Sequence, residues 1–156
     1  MKEGIDGHQN ADAVARTCTL IGLATQLGRK DGVVCVTAWY EALDQREISG
    51  EQALLLDYNR SNIIADDRSG TKWQWEQPTL ARELFYLRRA VSNEKFSQIS
   101  EVMKCMCLNN LGNRLRAVGR IIEALDCWRR ALEVQPRFGM SLFNRARAFS
   151  NYGCSR

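Results

Sequence analysis

The chain has 156 residues, of which 45% are hydrophobic and 26% charged, a composition typical of a single globular domain with its own core. No apolar run approaches the roughly 18 residues that a membrane-spanning helix needs, which excludes a membrane as a partner. The N-terminal residues include acids, and no apolar signal segment follows them. We therefore expect a cytoplasmic protein.

Charge is divided unevenly along the sequence. Residues 1–103 carry 12 Lys and Arg against 15 Asp and Glu, whereas residues 104–156 carry 10 against 3. Nine of those ten bases are arginine. This pattern is typical either of a solvated helix surface, because arginine is a good helix former, or of a protein that binds nucleic acid.

Residues that commonly carry out catalysis are sparse. The only histidine, His8, lies in a polar segment at 1–10 that predicts a flexible head. Among six cysteines, only Cys105 and Cys107 form a close pair, and the second ligand pair of a zinc site is missing. We expect reduced, mostly buried thiols. The sequence predicts no enzyme, no catalytic residue, no cofactor and no metal.

Apolar residues recur at helical spacing through the rest of the chain, and no segment alternates as a strand would. The second predicted helix pair is interrupted by a loop at 66–78 that is dense in turn formers. Its Trp73 and Trp75 either cover the core or stack on a ligand. The predicted helices lie, in chain order, at residues 11–27, 32–45, 51–66, from 78, 99–118, 121–134 and 139–152.

Residues 105–138 resemble the tetratricopeptide repeat, a 34-residue hairpin of two antiparallel helices. Small residues stand at positions 8, 20 and 27, where the two helices approach closely, and large apolar residues fill the remaining gaps. A glycine lies at the turn, and a proline ends the second helix. The residues that match are Gly112, Ala124 and Ala131 among the small ones, Leu108, Leu111, Leu115 and Trp128 among the large ones, then Gly119 and Pro136.

The resemblance extends to other segments of the chain. Leu142, Ala146 and Phe149 repeat positions 4, 8 and 11 of the unit, and residues near Tyr58 align with those near Asn109. It implies an all-α fold, an α-solenoid of about three and a half antiparallel hairpins. The helical domain spans 11–153, with a divergent hairpin at 11–48, an interrupted repeat at 51–93, the consensus repeat at 105–138 and an incomplete repeat at 139–153.

A closer resemblance covers residues 50–153. The segments WQWEQPTLARELFYLRRA and NNLGNRLRAVGRIIEALDCWRRALEVQPRFGMSL are similar to the repeat region that precedes a HEPN-type domain in certain bacterial proteins. HEPN-type domains are helical and often act as ribonucleases through an arginine followed by a histidine. That motif does not occur here, so the resemblance implies a context and no catalytic residue.

In the tetratricopeptide family, the first helices of the hairpins line a groove, and positions 2, 5, 9, 12 and 13 face it. The resemblance implies a scaffold that binds a protein or an extended peptide, unless the asparagines at position 9 serve the fold instead. The alternative is a nucleic-acid-associated module, the sensor or regulatory arm of an RNA-targeting HEPN-type system. The groove residues that this implies are Tyr58, Asn62, Met106, Asn109, Asn113, Arg116, Phe143 and Arg147.

The last predicted helix has no second helix after it in the sequence. Leu142, Ala146 and Phe149 would then lie uncovered, although solenoids normally end on a polar surface. The sequence predicts that this end is covered either by a second copy of the chain, which means self-association, or by a further C-terminal domain.

Overall fold

The computed structural model describes residues 50–69 and 77–152. Within these ranges it describes the backbone but not the side chains of residues 63–69 and 77–79. Over these residues the chain forms five α-helices and no strand, which confirms the all-α prediction for this part. No described helix is long and apolar enough to cross a membrane. The helices are α1 (Gly50–Ser69), α2 (Gln77–Val91), α3 (Glu101–Ala117), α4 (Ile121–Val134) and α5 (Gly139–Tyr152).

Several sequence predictions lie outside the described residues. These are the flexible head at 1–10, the divergent hairpin at 11–48 and the two loop tryptophans, Trp73 and Trp75. Among the described helices, α4 and α5 begin and end at the predicted residues. The predicted loop at 66–78 was wrong at both ends, because α1 continues to Ser69 and α2 already begins at Gln77. Residues 66–69 contain neither glycine nor proline, the two residues that disfavour a helix most strongly, and the first glycine after them in the sequence is Gly70.

Helices α1 and α2 form an antiparallel hairpin. The Asp57 carboxylate accepts hydrogen bonds from Nε of Arg89 at 2.7 Å and from its Nη2 at 2.5 Å. One turn further along α1, the Arg60 guanidinium lies 4.5 Å from the centre of the Tyr86 ring. Asp57 contacts Arg89, whereas Arg60, three residues later, contacts Tyr86, three residues earlier. The two helices therefore run in opposite directions.

Capping hydrogen bonds fix both ends of α3. At its start, Oγ of Ser100 accepts a hydrogen bond from the Met103 N–H at 3.3 Å, which satisfies one of the free donors of the first turn. At its end, the N–H of Arg120 reaches the carbonyl of Leu115 at 2.9 Å, a bond that closes the helix around Gly119. Gly119 has a φ of 80°, in the left-handed region that favours glycine, so the predicted turn is confirmed.

Helices α3 and α4 pack most closely where Gly112 meets Trp128. A β-carbon placed on Gly112 would lie 2.5 Å from Nε1 of Trp128, and the same nitrogen donates a hydrogen bond to the Asn109 carbonyl at 3.4 Å. Ala124 and Ala131 of α4 are fully buried. The predicted close approach of the two helices at a small residue is therefore present at Gly112.

Ion pairs connect helices of different hairpins. Arg114 of α3 pairs with the buried Glu83 of α2, and Arg88 of α2 lies 3.3 Å from Glu123 of α4. Each helix also packs against the next one along the chain, and α3 in addition touches α5. The core that results is centred on Leu54, Leu87, Leu111, Cys107 and Trp128.

Candidate functional site

Asn110 links the first helices of two successive hairpins. Its Nδ2 atom donates to Oη of Tyr58 at 3.4 Å and to Oδ1 of Asn62 at 3.2 Å. Both acceptors belong to α1, whereas Asn110 belongs to α3. The amide therefore joins two helices that are not neighbours along the chain.

Asn109 makes the equivalent link towards α5. Its Oδ1 atom accepts hydrogen bonds from Nδ2 of Asn144 at 2.9 Å and from Oγ of Ser141 at 3.3 Å. Its Nδ2 atom lies 3.5 Å from Oδ1 of Asn110, which makes the polar contacts continuous across α1, α3 and α5. We call this set the asparagine row; it comprises Tyr58, Asn62, Asn109, Asn110, Ser141 and Asn144.

The row contains the same hydrogen bond twice. Asn110 and Asn144 are 34 residues apart, at position 6 of the repeat unit that the sequence predicts. Asn110 donates to Tyr58, and Asn144 donates to Asn109. Both acceptors stand at position 5 of the preceding predicted unit. The two connections between first helices therefore use the same donor type at the same repeat position.

Two of the predicted groove residues lie inside the protein. Tyr58 is buried, and Asn109 is only 2% exposed. Burial raises the pKa of the Tyr58 hydroxyl, which stays neutral as it accepts its hydrogen bond. Polar groups of neighbouring helices hydrogen-bond both side chains in the structure, and their contact with a ligand stays a prediction.

The other predicted groove residues keep some exposure. Asn62, Asn113 and Arg116 are half-buried, and Arg147 is exposed. Oδ1 of Asn113 is shielded from solvent and accepts no hydrogen bond from any described residue. The two apolar candidates differ, since Met106 packs against the core whereas Phe143 is exposed.

Asn110, Ser141 and Asn144 were not predicted as part of the site. They occupy positions 3 and 6, which do not face the groove in the tetratricopeptide family. The 34-residue spacing of Asn110 and Asn144 was visible in the sequence and would have identified them. What the spacing does not reveal is their acceptors, since Tyr58 and Asn109 are different residue types at one repeat position.

The described cysteines offer little reactivity. Cys105, Cys107 and Cys127 are free thiols and are buried. Burial raises the pKa of Cys107 to about 12 and that of Cys127 to about 11, so both remain protonated at neutral pH. Within the described ranges, no group of three or more His, Cys, Asp or Glu residues is placed to hold a metal ion.

No family model, no curated protein and no solved structure matches the chain. The function is therefore inferred from the residues of the chain and from their contacts.

Replacing Asn109 with alanine is expected to lower the free energy of unfolding by about 2 kcal/mol, because the buried Ser141 hydroxyl and the Asn144 amide lose their shared acceptor. Urea denaturation followed by circular dichroism measures the change. Asn151→Ala is the matched control, since it makes the same substitution at an exposed position of α5 and should alter stability by less than about 0.5 kcal/mol. Equal effects at the two positions would contradict a structural role for the row.

Proposed function

We propose that the protein is a non-catalytic module that binds a protein or an extended peptide, built as an α-solenoid of tetratricopeptide-like hairpins. The observation that carries this proposal is the repeated hydrogen bond from Asn110 to Tyr58 and from Asn144 to Asn109. A bond that recurs at a 34-residue interval supports a stack of like units, in which each first helix lies beside the next. Stacked hairpins of this kind form extended concave binding surfaces.

The proposed ligand contacts lie one and two helical turns beyond the asparagine row. Asn113 follows Asn109 by four residues on α3 and so shares its side of the helix, and Arg116 follows Asn113 by three. Arg147 occupies in α5 the repeat position that Asn113 occupies in α3. Amide and guanidinium groups suit an extended peptide, because they bind its backbone carbonyls and its carboxylates.

Asn113 supports the proposal more specifically. Its Oδ1 atom is shielded from solvent and accepts no hydrogen bond from the described residues, although buried amides normally do. A backbone N–H of a bound peptide would satisfy it. The neighbouring Arg116 would supply a charged donor, the stronger type of hydrogen bond.

A selection experiment tests the groove. Random 12-residue peptides displayed on phage would be selected against the full chain, and their affinities measured by fluorescence polarisation. In the double variant Asn113→Ala/Arg116→Ala, we expect the dissociation constant of the selected peptides to rise by at least about tenfold, the effect of one lost charged hydrogen bond. Arg129→Ala is the control, because Arg129 lies on α4 and pairs there with Asp126 and Glu133.

Two results would contradict the groove. One is that no peptide is enriched above the background of a phage without an insert. The other is that enriched peptides bind the double variant as tightly as they bind the original chain, while Arg129→Ala lowers their affinity. Circular dichroism of both variants would show whether they are folded.

The alternative is a nucleic-acid-associated module, the sensor or regulatory arm of an RNA-targeting HEPN-type system. It is favoured by arginines that lie in no ion pair with a described residue, among them Arg130, Arg137 and Arg147. Phosphate binding falls steeply with salt, whereas peptide binding in a groove falls modestly. This alternative would be supported if a uridine homopolymer bound at low salt and if substitution of Arg129, Arg130 and Arg147 abolished that binding.

A further inference from the structure

One face of α5 is exposed although its counterpart on α3 is buried. Leu108 and Leu115 of α3 are 1% and 2% exposed, because α4 covers them. The residues 34 positions later, Leu142 and Phe149, are 46% and 47% exposed. Between them lies Ala146, at the repeat position where Gly112 receives Trp128 on α3. We call Leu142, Ala146 and Phe149 the α5 face.

The shape of this face suits a helix. Its members are spaced four and three residues apart, so they form one stripe along α5. A small residue stands in the middle with a large apolar residue on either side, the same arrangement that lets α4 pack closely on α3. The hydrogen bonds of Ser141 and Asn144 lead to α3, so the asparagine row does not use this stripe.

The charge that flanks the face is positive. Arg145 lies over the Phe149 ring at 5.6 Å, and α5 contains no acidic residue. Arg145 lies in no ion pair with a described residue. A second copy of α5 would bring the Arg145 side chains of the two copies together, and like charges placed together oppose association.

Helix contacts elsewhere in the protein pair arginine with a carboxylate. Asp57 of α1 pairs with Arg89 of α2. The same combination joins α2 to α3 and α2 to α4. A helix that covers the α5 face would make the same kind of pair if it brought acidic residues.

We propose that the α5 face docks an amphipathic helix of a partner protein, with Asp or Glu beside its apolar stripe. The apolar stripe of that helix covers Leu142 and Phe149 and places a bulky side chain over Ala146. Its acidic flank lies beside Arg145. This surface is separate from the proposed groove and does not depend on it.

Two peptides derived from α4 provide the probe, because α4 already fits the equivalent face of α3. Both have the sequence of Ile121–Val134. The acidic peptide carries Arg130→Glu, and the basic peptide carries Glu123→Lys, so both changes lie on one flank of the helix. Binding to the full chain would be followed by fluorescence polarisation at low ionic strength under reducing conditions.

We expect the acidic peptide to bind about tenfold more tightly than the basic one, and Arg145→Ala to remove that difference. Leu142→Ser/Phe149→Ser should raise the dissociation constant of the acidic peptide by at least about tenfold. Ile122→Ser is the control, because Ile122 is 80% exposed on α4 and should leave binding unchanged.

Three results would overturn the proposal. The first is that neither peptide binds, and the second is that Leu142→Ser/Phe149→Ser, shown to be folded by circular dichroism, binds as the original chain does. The third is a dimer of the chain alone in sedimentation velocity that Phe149→Ser converts to a monomer, since a second copy would then occupy the face.

Discussion

Replacing Gly112 with alanine is expected to lower the free energy of unfolding by about 2 to 3 kcal/mol, as overpacking of a close helix contact does. The added β-carbon would lie 2.5 Å from Nε1 and 2.9 Å from Cδ1 of Trp128. Real β-carbons do not approach other atoms so closely, so either α4 or the indole ring must move. The ring is fully buried, and its Nε1 donates a hydrogen bond to the Asn109 carbonyl. A shift of the ring would therefore cost both packing contacts and this hydrogen bond.

Gly139→Ala is the matched control for this substitution. A β-carbon on Gly139 meets no atom within 4 Å, so the same chemical change adds no clash there. Because alanine has a higher helix propensity than glycine, this variant should be as stable as the original chain or slightly more stable. Urea midpoints of the two variants measure the difference. If Gly112→Ala were as stable as Gly139→Ala, the two helices would not be in close contact at Gly112.

The α3–α4 hairpin was predictable from the sequence because its spacing leaves few alternatives. Gly112 stands where a β-carbon would clash with Trp128, and Gly119 stands where the backbone needs a positive φ. At such positions the backbone geometry permits essentially one residue type, so the presence of glycine in the sequence indicates the geometry. The end of α1 was not predictable in the same way, because Asp and Ser favour turns but are also tolerated within helices.

The contacts of the candidate-site residues were not predictable from the sequence. The resemblance to a repeat family singled out Asn109 and Tyr58 as groove residues, and the structure buries both. An asparagine side chain hydrogen-bonds equally well to a ligand or to another amide. Which of the two occurs depends on the residues that neighbouring helices bring within reach, here Asn110 and Asn144. That information is three-dimensional, and local spacing does not contain it.

Replacing Arg114 with alanine is expected to lower the free energy of unfolding by about 3 kcal/mol, as the loss of one partner of a buried ion pair does. Arg114 of α3 pairs with Glu83 of α2, whose side chain is fully buried. Without Arg114, the carboxylate loses this counter-charge in a region that water does not reach. The pair also connects the α1–α2 hairpin to the α3–α4 hairpin, so the variant tests the contact between units.

Two further variants separate the contact from the charge. Arg129→Ala makes the same substitution at an exposed ion pair of α4, where the expected loss is much smaller because solvent screens the two charges. The double variant Glu83→Leu/Arg114→Leu removes both charges and should recover most of the stability lost in Arg114→Ala, because apolar side chains of similar volume replace a buried pair at little cost. Urea denaturation of all three measures this. If the double variant were as unstable as Arg114→Ala, the packing of the arginine side chain would matter more than its charge, and the burial of Glu83 would not be the cause.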